Sequence, residues 1–97
     1  MTYTELLSES PVVLVEFFAS WCPHFQRKMP DVAQIKELLE GRALVAQFDI
    51  DENRELASDQ EVESIPTFII YQNGVEKWRR SGEIDGETLL SQVESYL

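Results

Sequence analysis

The spacing of apolar residues changes from segment to segment along the chain, and each change marks an element. Val12-Val13-Leu14-Val15-Glu16-Phe17-Phe18 is almost unbroken, β-branched and aromatic, the pattern of a strand buried on both faces of a parallel sheet. From Cys22 onward, Phe25, Met29, Val32, Ala33, Leu38 and Leu39 fall mostly three or four residues apart, which predicts a helix with one apolar face. Pro30 interrupts it and should kink it, because the ring removes a hydrogen bond and clashes with the preceding turn. Gly41 is a suitable stop. Residues 43–50 read as a second strand. Asn53 is placed to cap a short helix running through about Gln60, with Leu56 and Ala57 turned inward. Residues 64–71 start a third strand. Asn73-Gly74 is a strong hairpin signal, since both residues tolerate positive φ, and residues 75–80 form the return strand. Asp85 caps a last helix whose Leu89, Leu90, Val93, Tyr96 and Leu97 make one stripe. At the other end, Thr2 and Glu5 have capping-box spacing, so a short helix should follow and end before Ser10-Pro11.

Strand–helix–strand connections predict parallel pairs with right-handed crossovers, and the hairpin adds an antiparallel pair. The fold class is α/β, a four-stranded mixed sheet with helices on both faces. At 97 residues the chain is expected to form a single domain, residues 1–97. Its 43% hydrophobic content supports a modest core without disulfides or metal. Eighteen acidic against eight basic residues give a formal charge of −10, which disfavours nucleic acids and anionic membrane surfaces as partners. No basic, apolar leader is visible and no apolar run is long enough to cross a bilayer, so a cytoplasmic location is the expectation. One cysteine and one histidine are too few for a structural metal site, and neither metal nor cofactor is expected.

That single cysteine and single histidine lie together in Ala19-Ser20-Trp21-Cys22-Pro23-His24-Phe25-Gln26, at the strand-to-helix junction. The first N–H groups of a helix lack internal partners, and the dipole places partial positive charge there. A thiolate at that point is stabilised and reactive near neutral pH. Pro23 suits the first helical position, and a charged His24 would stabilise the thiolate further. A lone cysteine is otherwise a small buried hydrophobe, and His24 points either to the thiolate or to solvent.

In these residues the chain resembles the thioredoxin superfamily. Trp21-Cys22-Pro23-His24 is similar to the start of a Trp-Cys-x-x-Cys site and to that of bacterial disulfide oxidases. Further points of resemblance are Val15 to Cys22, Pro30, Asp49-Ile50-Asp51, Ser64-Ile65-Pro66-Thr67, Asn73-Gly74 and Gly82. The resemblance implies a thioredoxin-like fold lacking the first strand of full-length thioredoxin. Residues 43–50 would then be a sheet edge, with Gln47 and Asp49 guarding it. It also implies a cis Pro66 that turns the Ile65 backbone toward Cys22, where an extended substrate would pair with it. Cys22, His24 and Pro66 are the implied catalytic positions, and Trp21, Pro23, Ile65 and Thr67 the implied substrate-binding ones.

Three family positions are altered. Phe25 stands where the second cysteine would be, Glu16 where a buried aspartate is usual, and Gln47 where a lysine commonly neighbours that acid; the acid–lysine pairing is expected to be lost. Two readings follow. In one, Cys22 acts alone in thiol–disulfide exchange with protein disulfides or thiols, and an external thiol, such as a low-molecular-weight one, resolves the adduct. In the other, a non-catalytic binding module or redox-linked chaperone uses the groove of Trp21, Ile65 and Pro66. A dimer linked through Cys22 is compatible with either. Cluster-binding monothiol glutaredoxins use Cys-Gly-Phe-Ser, a pattern this chain lacks.

Overall fold

The structure is a computed structural model that describes residues 1–97, apart from the side chains of His24, Phe25, Lys28, Met29 and Pro30. The elements in chain order are α1 (Tyr3–Leu7), β1 (Val12–Phe18), α2 (Pro23–Leu39), β2 (Leu44–Asp49), α3 (Arg54–Asp59), β3 (Thr67–Gln72), β4 (Val75–Ser81) and α4 (Gly86–Glu94). The four strands lie in the order β2-β1-β3-β4. β1 therefore has a strand on each side and a helical layer on each face, which is why its apolar run is continuous rather than alternating.

Alternate residues of β1 feed two cores. Val12 and Leu14 join Val32, Ile35 and Leu39 of α2, Val45, Phe68, Ile70, Ile84, and Leu89 and Val93 of α4. Val13, Val15 and Phe17 join Leu7, Ala57, Ile69 and Tyr71 on the α1/α3 face. The α2 stripe differs from the sequence expectation. Val32, Ile35 and Leu39 are buried, whereas Ala33 and Leu38 are exposed. At about 100° per residue the first three share a face and the other two fall well away from it. The expected placements of Phe25 and Met29 on that face, and the expected kink at Pro30, lie outside the described residues. In the last helix Leu89 and Val93 are buried and Leu90 and Tyr96 half-buried, but Leu97 lies beyond the helix end and is exposed.

The ends are set by local chemistry. Thr2 and Glu5 form the reciprocal capping box, with the Thr2 N–H donating to Glu5 Oε1 at 2.9 Å and the Glu5 N–H to Thr2 Oγ1 at 3.1 Å. Asp85 accepts from the Thr88 N–H at 2.8 Å. Asn53 occupies the cap of α3 without a capping bond. Its Nδ2 instead donates back to the Asp49 carbonyl at 2.9 Å, closing the turn after β2. Asn73 and Gly74 both have positive φ, 52° and 80°, as a two-residue hairpin loop requires.

The β2–α3–β3 connection departs from expectation. β1 and β2 are parallel, but β3 runs antiparallel to β1. The reason lies at the end of α3. Glu61 takes a left-handed φ of 56°. The Glu61 N–H donates to the Ser58 carbonyl and the Val62 N–H to the Ala57 carbonyl, the bonding of a Schellman motif. That reversal sends residues 62–66 back to the end from which β2 left, so Thr67 pairs with Phe17 near the end of β1. The end of β1, the end of β2 and the start of β3 meet at one edge of the molecule.

Candidate functional site

Cys22 sits at that junction as the N-cap of the 17-residue α2, with Pro23 at the first helical position. The Cys22 N–H donates to the Ala19 carbonyl at 3.0 Å, and its carbonyl accepts from the Gln26 N–H at 3.3 Å. The side chain makes no capping bond. Cys22 is buried, only 9% exposed. The Ala19–Cys22 turn tucks it under the start of the helix, and the exposed rim is made by its neighbours Trp21, 64% exposed, and Pro23. The described side chains do not include His24 and Phe25, so their expected roles lie outside them.

Trp21 is held rather than loose. Its Nε1–H donates to Asp51 Oδ2 at 2.8 Å. Asp51 was quoted as part of a motif but given no task by sequence reasoning. The signal was available in the register: Phe18 pairs with Asp49, so residues a few positions beyond each strand end are neighbours.

The Ile65–Pro66 peptide bond is cis. The Pro66 carbonyl accepts from the Gly82 N–H at 2.8 Å, with Gly82 at a φ of 95°. Arg27 and the adjacent Glu83 approach to 4.0 Å across the surface, linking the first turns of α2 to the same loop; an exposed pair of this kind contributes little stability. Ile65 and Pro66 are half-buried. Thr67 is not available as a substrate contact. It is 0% exposed, its hydroxyl donates to the Ser64 carbonyl at 2.6 Å, and it lies 2.8 Å from Ser81 Oγ. A fully satisfied hydroxyl in that position pins the loop in front of β3.

Glu16 projects from β1 into the α2/α4 layer and is 2% exposed. Gln47 Nε2–H donates to Glu16 Oε1 at 2.8 Å. Gln47 thus keeps a contact with the acid as a neutral hydrogen bond, without the opposite charge a lysine would bring. Burial pushes the Glu16 carboxyl above its ordinary value, and the Gln47 bond partly offsets this. Beside it lies a mostly apolar cavity of about 20 Å³, lined by Glu16, Pro66, Phe68 and Ile84 among others, room for roughly one water. Asp49, half-buried at the end of β2, accepts from the Asp51 N–H through its Oδ1 at 2.9 Å. Among the described residues, no group of three metal-ligating side chains comes together.

A central strand flanked by two helical layers, a helix capped by a cysteine at its end, and a cis X-Pro turn beside it define a class of redox folds. Comparison with known proteins identifies the class. The thioredoxin family model matches residues 1–95. Thioredoxin from a Synechocystis species is 38% identical over 90 residues, covering 93% of this chain and 83% of its own length. Thioredoxin Y, chloroplastic, of Oryza sativa subsp. japonica is 36% identical over 98 residues, 99% of this chain, which spans 58% of that protein. Among solved structures, a point mutant of thioredoxin from Halobacterium salinarum superposes with a TM-score of 0.87 at 34% identity, covering 96% of this chain and 80% of that one. The chain belongs to the thioredoxin family. Thiol–disulfide redox chemistry on protein thiols or disulfides is the general function of that family.

Proposed function

We propose that this protein carries out thiol–disulfide exchange with Cys22 as its only nucleophilic sulfur. The observation that carries the reading is the position of Cys22. It occupies the N-terminal cap of α2 without a capping bond from its own side chain, at the sheet end where the register brings in the cis Ile65–Pro66 turn. A thiolate there faces the free N–H groups and positive pole of a long helix. An extended substrate would lie along the Ile65 backbone, with Trp21 and Pro23 as its rim. The Cys22 thiolate attacks one sulfur of the substrate disulfide. The S–S bond breaks, a Cys22–S–S bond forms, and the departing sulfur leaves as a thiolate that takes a proton from solvent. With Phe25 in place of a second cysteine, an external thiolate then attacks the mixed disulfide. If it attacks the substrate sulfur, Cys22 returns as the thiolate and the substrate stays joined to the external thiol. A thiol that must remain reduced suits the cytoplasm.

The burial of Cys22 favours a second reading, in which the groove binds partners without turnover. One experiment separates the two. The protein is exposed to oxidised glutathione and its intact mass measured, with Cys22→Ser as control. A single adduct, absent from the control and removed by added thiol, is expected. No adduct on folded protein, together with partner binding undiminished by Cys22→Ser, would leave the binding reading standing alone.

A further inference from the structure

The two edges of the sheet are built differently. At one edge, β4 carries Glu76, Lys77, Arg79 and Arg80 among its seven residues. The pairs Ile70–Trp78 and Tyr71–Glu76 skip Lys77 as a bulge. Charge and a bulge are the usual devices against unwanted strand pairing. At the other edge, β2 reads Leu44-Val45-Ala46-Gln47-Phe48-Asp49, with no lysine, arginine or proline and regular register throughout. Its two polar side chains, exposed Gln47 and half-buried Asp49, are engaged within the chain, Gln47 with Glu16 and Asp49 with the Asp51 N–H. Beside it a depression is lined by Met1, Tyr3, Leu6, Phe48 and Leu56, with Lys36 of α2 among its polar residues.

The phase of the edge is fixed by one bond. The Ile50 N–H donates to the Phe18 carbonyl, so Phe48, Ala46 and Leu44 also direct their backbone groups to β1. Those of Val45, Gln47 and Asp49 point away from the sheet. We propose that β2 pairs antiparallel with β2 of a second copy of this chain, about a two-fold axis at Ala46, making one eight-stranded sheet. This pairing is self-complementary, as an isologous contact must be. Val45 meets the second copy's Gln47 as a doubly hydrogen-bonded pair, on both sides of the axis. Ala46 meets its own copy as a close, non-bonded pair. Leu44 meets Phe48 on the apolar α1/α3 face. Charge agrees: Arg42, just before β2, comes opposite Ile50 of the second copy, between Asp49 and Asp51. The contact does not use Cys22 and reaches the Trp21 rim only through Asp51, the acceptor of the Trp21 Nε1–H.

The test is sedimentation velocity of the 97-residue chain in reductant at tens to hundreds of micromolar. Mass should rise with concentration from 11.2 kDa toward twice that value. Ala46→Lys places two like-charged side chains directly opposite each other, on Cβ atoms about 5 Å apart, and should abolish the rise. In a Cys22→Ser background, Ala46→Cys should cross-link the dimer on mild oxidation, because a close non-bonded pair meets disulfide geometry. A monomer throughout the range overturns the proposal. So does a dimer that survives in folded Ala46→Lys, or one whose Ala46→Cys form does not cross-link.

Discussion

The two faces of the sheet are packed to different standards. On the α1/α3 face, Phe17 and Phe48 stack with ring centres 5.7 Å apart, and Tyr3 closes on Phe48 and Tyr71 at 5.7 and 6.0 Å. The polar atoms of this cluster satisfy each other: the Tyr3 and Tyr71 hydroxyls are 2.8 Å apart. Burial pushes ionisation of both phenols upward; their shared hydrogen bond adds to the rise for Tyr3 and opposes it for Tyr71, and the pair stays neutral at any ordinary pH. On the α2/α4 face, a largely aliphatic core that also holds Phe68 admits a carboxyl group with one neutral partner and a water-sized void. That side carries the helix that begins at Cys22. The difference teaches that one face is optimised for holding the fold, while the other gives up stability to a buried carboxyl group beside the cis-proline turn.

Four substitutions would break or sharpen this contrast. Phe17→Ala should have the largest effect, a loss of about 3–5 kcal/mol in urea unfolding, the range for emptying a buried aromatic site. A loss below 1 kcal/mol would show that the aromatic face is not the firmer one. Glu16→Gln should act in the opposite direction, raising stability at neutral pH by on the order of 1–3 kcal/mol, because it removes a buried charge with one neutral partner. The pH dependence fixes the cause. With its folded value raised above the ordinary 4.5, Glu16 contributes stability that is complete below 4.5 and lost as pH rises through the folded value. The stability gap between variant and parent should therefore open from acid toward neutral pH, and a pH-independent gap would assign the effect to packing.

Tyr3→Phe removes one hydroxyl of the aromatic-face pair and leaves Tyr71 with Gln60 Oε1 at 3.4 Å. About 1 kcal/mol should be lost, with no change between pH 5 and 9; a pH-dependent loss in that range would mean the pair ionises. Thr2→Ala should be smallest, about 0.5 kcal/mol, because α1 is a five-residue helix at the end of the chain. Hydrogen exchange confined to α1 would register it, and exchange spreading into β1 would show that the aromatic face depends on this cap.

Most of the frame was legible because its signals are local. The capping box at Thr2, the hairpin at Asn73-Gly74 and the unbroken run of β1 each state their structure within a few residues. The edge position of β2 was legible only through family resemblance. What escaped was what depends on distant partners. The direction of β3 turned on Glu61, which has no glycine to advertise a left-handed turn. The burial of Ile35 rather than Leu38 follows from which face α2 turns to the sheet, and spacing leaves that choice open. At the site, the cysteine and the cis turn were visible as motifs. The shelter around Cys22, the Trp21–Asp51 bond and the enclosure of Thr67 arise between residues far apart in sequence.

The central position of β1 has a consequence for how the molecule is made. β1 is made before either of its neighbours, β2 and β3, and β3 ends only at Gln72. Its most apolar segment therefore waits, unpaired on one side, until the chain through Gln72 has emerged. Non-local pairing of this kind is slow and exposes sticky intermediates. Chains arrested before Gln72 clears the exit tunnel should be cut by protease within β1, whereas release of the hairpin should confer protection abruptly.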